Sequence, residues 1–420
     1  MRNSTARRAA SVALALLLLA PLAPAALAQS RRVPPQAPQK KNQRPGQTPE
    51  TKPGEQPQEP VPQDIVPGPE ETVKVATNIV NVEAVVINKR TKQIVPGLKQ
   101  SNFAIFEDGL QRDITNFSTP DAPITVSVVL EFSKLGSFFG WAGSGGREPG
   151  RYEVLRPLAA FISQVVRPPD DYVSVIAYDM RPTPLTDFTN DPARLNQVLT
   201  LLLRSRPASS EANLFDALKL TLVGGRADSV VLENREERTT EYGGMASLGG
   251  QRRKAVFLIS SGIDTFSKIN YDDARKIAQN AGVPIYIIGT SELFFKKYGD
   301  RMPAEDGLLG ATQPGRMTML QARNALRTFA EETGGFYIPV TFEGEIPSAL
   351  HTINVLMRNQ YSLAYSPGAA RDPKAKRRKI VVKVDVDGDG NYDEKDYEVR
   401  ARQYYNPPKG AEQKAENEKK

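Results

Sequence analysis

Residues Val126 to Ser137 read Val-Ser-Val-Val-Leu-Glu-Phe-Ser-Lys-Leu-Gly-Ser, a near-continuous apolar run that stops at an acid followed by small hydroxyl residues. A strand buried on both faces has this signature, because helices cover a parallel sheet on each side and leave it no polar face. In an open α/β sheet the carboxyl end of such a strand is where ligands bind. The run is therefore expected to open a parallel sheet, with Glu131 and Ser133 at its functional end.

Downstream the chain alternates strand and helix. The apolar spacing of Leu155, Leu158, Phe161, Ile162 and Val165 predicts a helix over Tyr152 to Val166. A strand follows at Tyr172 to Tyr178, then helices at Leu195 to Leu203 and Leu214 to Val223, and a third buried strand at Ala255 to Ile259. Asp272 to Ala281 reads as a helix stopped by Gly282, Val283 to Ile288 as a fourth strand, and Met319 to Thr333 as a helix stopped by Gly334-Gly335 before Phe336 to Val340. Two polar insertions, Gly224 to Arg253 and Leu293 to Arg316, interrupt the rhythm. Such alternation implies right-handed βαβ crossovers, so the expected class is α/β with a doubly wound, mostly parallel, Rossmann-like sheet spanning residues 122–358.

On either side of it the pattern is β. Val73 to Val75, Ile79 to Ile87, Phe103 to Gly109 and Ile114 to Phe117 read as short strands, with Asp108-Gly109 marking a hairpin. After a helix at Ile346 to Asn359, strands are expected again at Tyr361 to Tyr365, Ile380 to Val386 and Tyr397 to Arg402. The segments 73–120 and 359–405 are expected to pair into one small β-sandwich-like domain.

The two ends are polar. Met1 to Ser30 reads as a secretory signal peptide ending near residue 28: Arg2, Arg7 and Arg8 precede an apolar Val12 to Leu22, and Ala26-Leu27-Ala28 forms a cleavage site. The alternative is a membrane anchor, but Pro21 and Pro24 break the run and it is short for a span. Residues 29–70 form a Pro-, Gln- and Lys-rich spacer and 406–420 a charged tail. The expected location is therefore secreted or periplasmic, with no membrane span in the mature chain.

Removing residues 1–28 takes away three Arg and no acid, which leaves 52 cations against 48 anions in place of the formal +7. That balance weakens the ground for a nucleic-acid partner, and the basic run Lys374 to Lys379 reads as a solvated loop in preference to a binding patch. The chain has no Cys, which removes disulfides, thiol nucleophiles, Cys-bound zinc and a lipid-modified N-terminal Cys. Its one histidine, His351, is expected as a partly buried helix residue, so Ser-His-Asp chemistry and His-ligated metals have little to work with.

Four phrases, in order, resemble a von Willebrand factor A-type domain, in the bacterial secreted version that carries a short β segment in front. They are Leu130-Glu131-Phe132-Ser133, Asp187-Phe188-Thr189-Asn190-Asp191, Asn213-Leu214-Phe215-Asp216-Ala217-Leu218 and Phe257-Leu258-Ile259-Ser260-Ser261-Gly262-Ile263-Asp264-Thr265, and Glu107-Asp108-Gly109 resembles the leading β motif. The resemblance spans about Val73 to Tyr405. It implies a divalent cation held by Asp-x-Ser-x-Ser, a Thr on a second loop and an Asp on a third, with an open position for a partner's carboxylate. This chain departs on every loop. Glu131 stands at the first Asp, the second Ser is displaced to Ser137 or lost, Ala212 replaces the Thr, and Ser261 replaces the third-loop Asp. The site is thus expected to be degenerate and Mg²⁺ and Mn²⁺ are disfavoured, with Glu211 and Asp264 nearby as substitute ligands that nothing in the sequence requires.

A better metal motif lies at Asp385 to Asp396. Asp385, Asp387 and Asp389 fill positions 1, 3 and 5 of a calcium loop, followed by Gly390, Asn391, a water-bridging Asp393 and Asp396 at position 12. Asp reaches less far than Glu at the last position, and the flanks read as strands. Asp-Gly-Asp-Gly-Asn is also good hairpin chemistry, so Ca²⁺ and a plain turn both remain open here.

The leading functional expectation is a secreted, non-enzymatic module for protein binding and cell adhesion, taking a protein or extracellular matrix ligand at the carboxyl-terminal rim. Glu131, Ser133, Ser137, Trp141, Ser261 and Asp264 are the rim residues; Trp141, in a Gly-rich loop, reads equally as an interface anchor or a buried plug. The alternatives are an envelope scaffold acting through the β domain and a serine hydrolase using Ser133, Ser260 or Ser261. The latter lacks both G-x-S-x-G and a suitably placed His.

Overall fold

The structure is a computed structural model that describes residues 79–133, 157–162, 167, 169–205, 207, 209–230, 237–248, 252–301, 315–368 and 377–407. The chain divides into Met1–Thr72 and Val73–Lys420. The signal peptide, the spacer, the Val73 to Val75 strand, Ser137, Trp141 and all but the first two residues of the charged tail lie outside the described residues.

Four strands open the described chain: β1 (Val80–Asn88), β2 (Phe103–Glu107), β3 (Leu110–Arg112) and β4 (Ile114–Ser118). The Asp108-Gly109 turn joins β2 to β3 with both residues at positive φ, as a two-residue hairpin turn of this kind requires. In β1 successive side chains serve two cores. Val80, Val82, Ala84 and Val86 pack into a small β core, whereas Val85 and Ile87 point the other way, into the core of the α/β part.

The α/β part contributes β5 (Ile124–Glu131), a helical segment α1 (157–162), β6 (Tyr172–Tyr178), β7 (Pro182–Thr189), α2 (Pro192–Arg204) and α3 (Leu214–Val223). A hairpin of β8 (Gly225–Val230) and β9 (Glu237–Tyr242) follows, then β10 (Arg253–Ser260), α4 (Tyr271–Ala281), β11 (Ile285–Gly289), α5 (Ser291–Tyr298), α6 (Arg316–Thr333), β12 (Tyr337–Pro339) and α7 (Ile346–Arg358). The six-stranded sheet runs β12-β11-β10-β5-β6-β7, parallel except for the antiparallel edge strand β7. Helices α1, α2 and α7 bury one of its faces; α3, α4 and α6 bury the other. Every residue of β5 is buried, which is why its sequence is apolar without alternation.

Helix ends follow local chemistry. Asp191 caps α2, its side chain accepting the N–H of Ala193 at 2.9 Å ahead of Pro192 at the first turn. Gly334 ends α6 at φ 83°, and a Cβ there would sit 2.5 Å from the backbone nitrogen of Arg402.

The last strands are β13 (Tyr361–Tyr365), β14 (Arg378–Val384), β15 (Tyr397–Ala401) and β16 (Tyr404–Tyr405). They pair with the opening strands in two four-stranded sheets, β15-β1-β13-β4 and β16-β14-β2-β3, which share one apolar core. Arg402 fastens this part to α4: its guanidinium donates to the carbonyls of Gln279, Asn81 and Tyr404.

The structure departs from the sequence expectations in several places. The polar stretch Gly224 to Arg253 contains the β8–β9 hairpin, and the second insertion begins within α5. The phrase Asp187 to Asp191, for which no element was expected, supplies the end of β7 through Thr189 and the cap of α2 at Asp191. His351 is exposed and not partly buried, because α7 turns Ile346, Ala349, Leu350, Ile353 and Met357 inward and leaves position 351 outside.

Candidate functional site

Strand order reverses between β5 and β10, so their carboxyl ends open at the switch point of the sheet, where a crevice forms in folds of this topology. Glu131 closes β5 there and Ser260-Ser261 closes β10. The Glu131 carboxylate is 2% exposed and surrounded by donors. Its Oε1 accepts the Ser133 hydroxyl at 3.0 Å. Its Oε2 accepts the Ser261 backbone N–H at 2.6 Å, the Ser261 hydroxyl at 2.8 Å, the Ser260 hydroxyl at 3.2 Å and the Tyr178 hydroxyl at 3.4 Å. Burial pushes the carboxyl above its ordinary range, and the serine donors pull against that. The Tyr178 hydroxyl is pushed well up by burial and by Glu131, so it stays a donor.

The second loop is tied down without any ligand to offer. Ala212 is fully buried; its N–H donates to Thr265 Oγ1 at 2.9 Å and its carbonyl accepts the Thr265 N–H at 2.8 Å. Asp264 serves the start of α3, accepting the Phe215 N–H at 3.1 Å and the Ser267 hydroxyl. Asp216 in turn accepts the N–H groups of Lys268 and Ile269 at 3.0 and 3.3 Å. The structure thus brings Glu131, Ser133 and Ser261 into one network and gives Asp264 to a neighbouring one. Glu131, Ser133 and Ser261 are buried, so they shape the rim from beneath and present no surface to a partner. Tyr178, Asn213 and Ser267 belong to these networks and were not expected from the sequence. Tyr178 has a faint signal, as the last residue of the strand next to β5.

The acidic loop after β14 keeps three of its six expected ligands together. Carboxylate oxygens of Asp385, Asp387 and Asp393 lie within 4.8 Å of one another, whereas Asp389 and Asp396 stand outside that group. The carboxylates also hold the turn: Asp385 accepts the N–H groups of Gly388 and Gly390 at 2.7 and 2.8 Å, and Asp393 accepts that of Val386 at 2.7 Å. These amide donors hold the Asp385 carboxyl below its ordinary value against some desolvation. A hard cation fits this donor set, which is all oxygen and pre-arranged. No helix among the described residues is long and apolar enough to cross a membrane.

No protein-family model matches the chain, and no curated protein does. Solved structures to which the chain is similar include the vWF domain of the type V pili tip protein Mfa5 from Porphyromonas gingivalis, at 14% identity over 56% of this chain and 95% of that one, with a TM-score of 0.35. An aerotolerance-related membrane protein from Bacteroides fragilis NCTC 9343 is 16% identical over 56% of this chain and 98% of that one, with a TM-score of 0.33. The PilB minor pilin from Streptococcus sanguinis is 12% identical, covering 58% of this chain and 62% of that one, with a TM-score of 0.36.

Proposed function

We propose that this chain is a non-enzymatic binding module of the von Willebrand factor A type, exported from the cytoplasm, which takes a protein or extracellular matrix ligand at the carboxyl-terminal rim of its sheet without a divalent cation. One observation supports the metal-free reading above all others. The carboxylate at the position of the family's first metal ligand already accepts donors from Ser133, Ser260, Ser261 and Tyr178. A cation there would have to displace a backbone N–H and three serine hydroxyls in a buried site, and the Ala212 side chain returns no oxygen in exchange.

The same network speaks against hydrolysis. Ser133, Ser260 and Ser261 are each no more than 1% exposed and their hydroxyls donate to a carboxylate, while the only histidine lies exposed on α7, among the helices of one sheet face. The loop of Asp385, Asp387 and Asp393 is assigned a structural Ca²⁺ in this reading, remote from the rim in sequence and apart from ligand binding.

Melting of the mature protein with EDTA, Mg²⁺ and Mn²⁺ tests the proposal, alongside binding to immobilised matrix proteins with and without EDTA. Binding that survives EDTA is expected. Stabilisation by Mg²⁺ or Mn²⁺ that disappears in Ser133→Ala would falsify the metal-free reading.

A further inference from the structure

Beside the switch point, a cleft of about 440 Å³ opens between α6 and the loop that follows β10. That volume suits a single long side chain or a small ligand. Its floor is Gly262-Ile263. Gly262 sits at φ 80°, where a Cβ would come within 2.7 Å of the Ala322 carbonyl, so glycine is what lets the loop lie against the helix. One wall is aromatic: Phe215 at the start of α3 and Tyr271 at the start of α4 have ring centroids 6.0 Å apart, and Phe329 backs both at 6.2 and 5.6 Å.

The opposite wall is a stripe of α6 at helical spacing, Thr318, Gln321, Ala322, Ala325 and Thr328, small or neutral throughout. Four of the five charges of α6 are engaged elsewhere, and the fifth, Glu331, does not line the cleft. Arg316 donates to the Gly299 carbonyl, Arg323 to Glu292, Arg327 lies over Tyr337, and Glu332 pairs with Arg275. Among the described residues that line the cleft, Asp264 is the only charged group. Its carboxyl is held in place by Phe215 and Ser267, and partial burial lifts its pKa, so its ionised form gains from a cation brought against it. The same two segments present exposed apolar side chains, Phe266 at 57% and Met317 at 56%.

We infer that this cleft is the specificity pocket for a Lys or Arg side chain of a protein partner, its aliphatic stem lying along Ile263, Ala322 and Ala325 and its cationic head between Asp264 and the Phe215–Tyr271 wall. The chemistry is complementary at each point: an apolar channel for methylenes, a π face for a cation, and one carboxylate with no competing positive charge in the lining. Arginine suits it better than lysine, because a guanidinium stacks on the ring while donating to the carboxylate. The inference rests on the rim-binding function proposed above and adds to it the chemical class of the ligand.

The test is methyl NMR on the mature protein, titrated with acetyl-Gly-Arg-Gly amide, its Lys and Glu counterparts, and n-butylammonium. Saturable shifts are expected at the methyls of Ile263, Ala322 and Ala325 with the basic peptides only, strongest for Arg. Asp264→Asn keeps an acceptor for Phe215 and Ser267, so the fold persists while binding weakens by roughly tenfold. Asn324→Lys, a surface change that places a resident cation at the cleft, should weaken it as well. Equal shifts with the Glu peptide, shifts unchanged in both variants, or silence at these methyls would overturn the inference. Saturation by n-butylammonium as strong as by the peptides would make this a small-amine site and overturn the protein partner. Binding of the wild type to a matrix protein that both variants leave intact would sink the pocket and spare the rim-binding function.

Discussion

The Oε2 atom of Glu131 accepts the backbone N–H of Ser261 at 2.6 Å, joining the ends of β5 and β10 across the point where strand order reverses. A crevice that could hold a ligand is thereby closed at its base by one carboxylate. Because that oxygen also takes the Ser260 and Ser261 hydroxyls, the two strand ends are cross-linked by side-chain hydrogen bonds.

Glu131→Ala should therefore destabilise the protein by about 3 kcal/mol, since it strands buried hydroxyls and an N–H that no water reaches. Urea unfolding measures this. A loss below about 1 kcal/mol would mean that the network is replaceable and that the site tolerates other occupants.

Calcium should act at the opposite end of the molecule's chemistry. With Asp385, Asp387 and Asp393 converging, Ca²⁺ at 100 times its Kd is expected to add about 2.7 kcal/mol to unfolding, seen as a rise in melting temperature that EDTA reverses. Asp387→Ala should abolish the rise. Identical calorimetric traces for wild type and variant would leave the loop as a plain hairpin turn.

How much of this was legible in the sequence depends on which forces leave a pattern. Strand β5 is readable because burial on both faces forces an unbroken apolar run, and α3, α4 and α6 because each buries one stripe. The β8–β9 hairpin was not, since Gly225 to Val230 and Glu237 to Tyr242 show no apolar alternation and are held by backbone pairing. The chain ending in Glu131 could be placed at a functional strand end, but its burial could not. That follows from Tyr178, Ser260 and Ser261, residues 47 to 130 positions away whose convergence no local spacing encodes. His351 was misplaced for a simpler reason: the inward stripe of α7 passes through Leu350 and Ile353 and skips it.

Arg402 should be intolerant of lysine. Burial pulls its pKa down to about 10, yet the guanidinium is retained because it reaches three carbonyls, on β1, on α4 and at Tyr404. A single ammonium lacks the fork to satisfy all of them. Arg402→Lys is expected to cost about 2 kcal/mol in denaturant unfolding. Wild-type stability in that variant would show that packing around Gly282 and Gly334, and not the guanidinium, holds the β part to α4.

Stability should fall as pH rises through neutrality, and the cause should be Glu83. It lies on the face of β1 turned toward the α/β part, its Oε1 accepting the Ser362 hydroxyl at 2.7 Å while its Oε2 is buried without a partner. Arg253 and Lys254 of β10 favour its charge and Tyr286 of β11 faces it, but burial dominates and pushes the carboxyl up to about 7. In the unfolded chain the same group titrates near 4.5. The folded state therefore holds the extra proton between those two values. The stabilising contribution is complete below the lower one and is lost as pH rises to the upper one, by on the order of 3 kcal/mol. Glu83→Gln keeps an acceptor for Ser362 and has nothing to ionise. Unfolding free energies from pH 5 to 8 should slope downward in wild type and flatten in the variant, leaving the variant the more stable at pH 8. Parallel slopes would assign the pH dependence to another group.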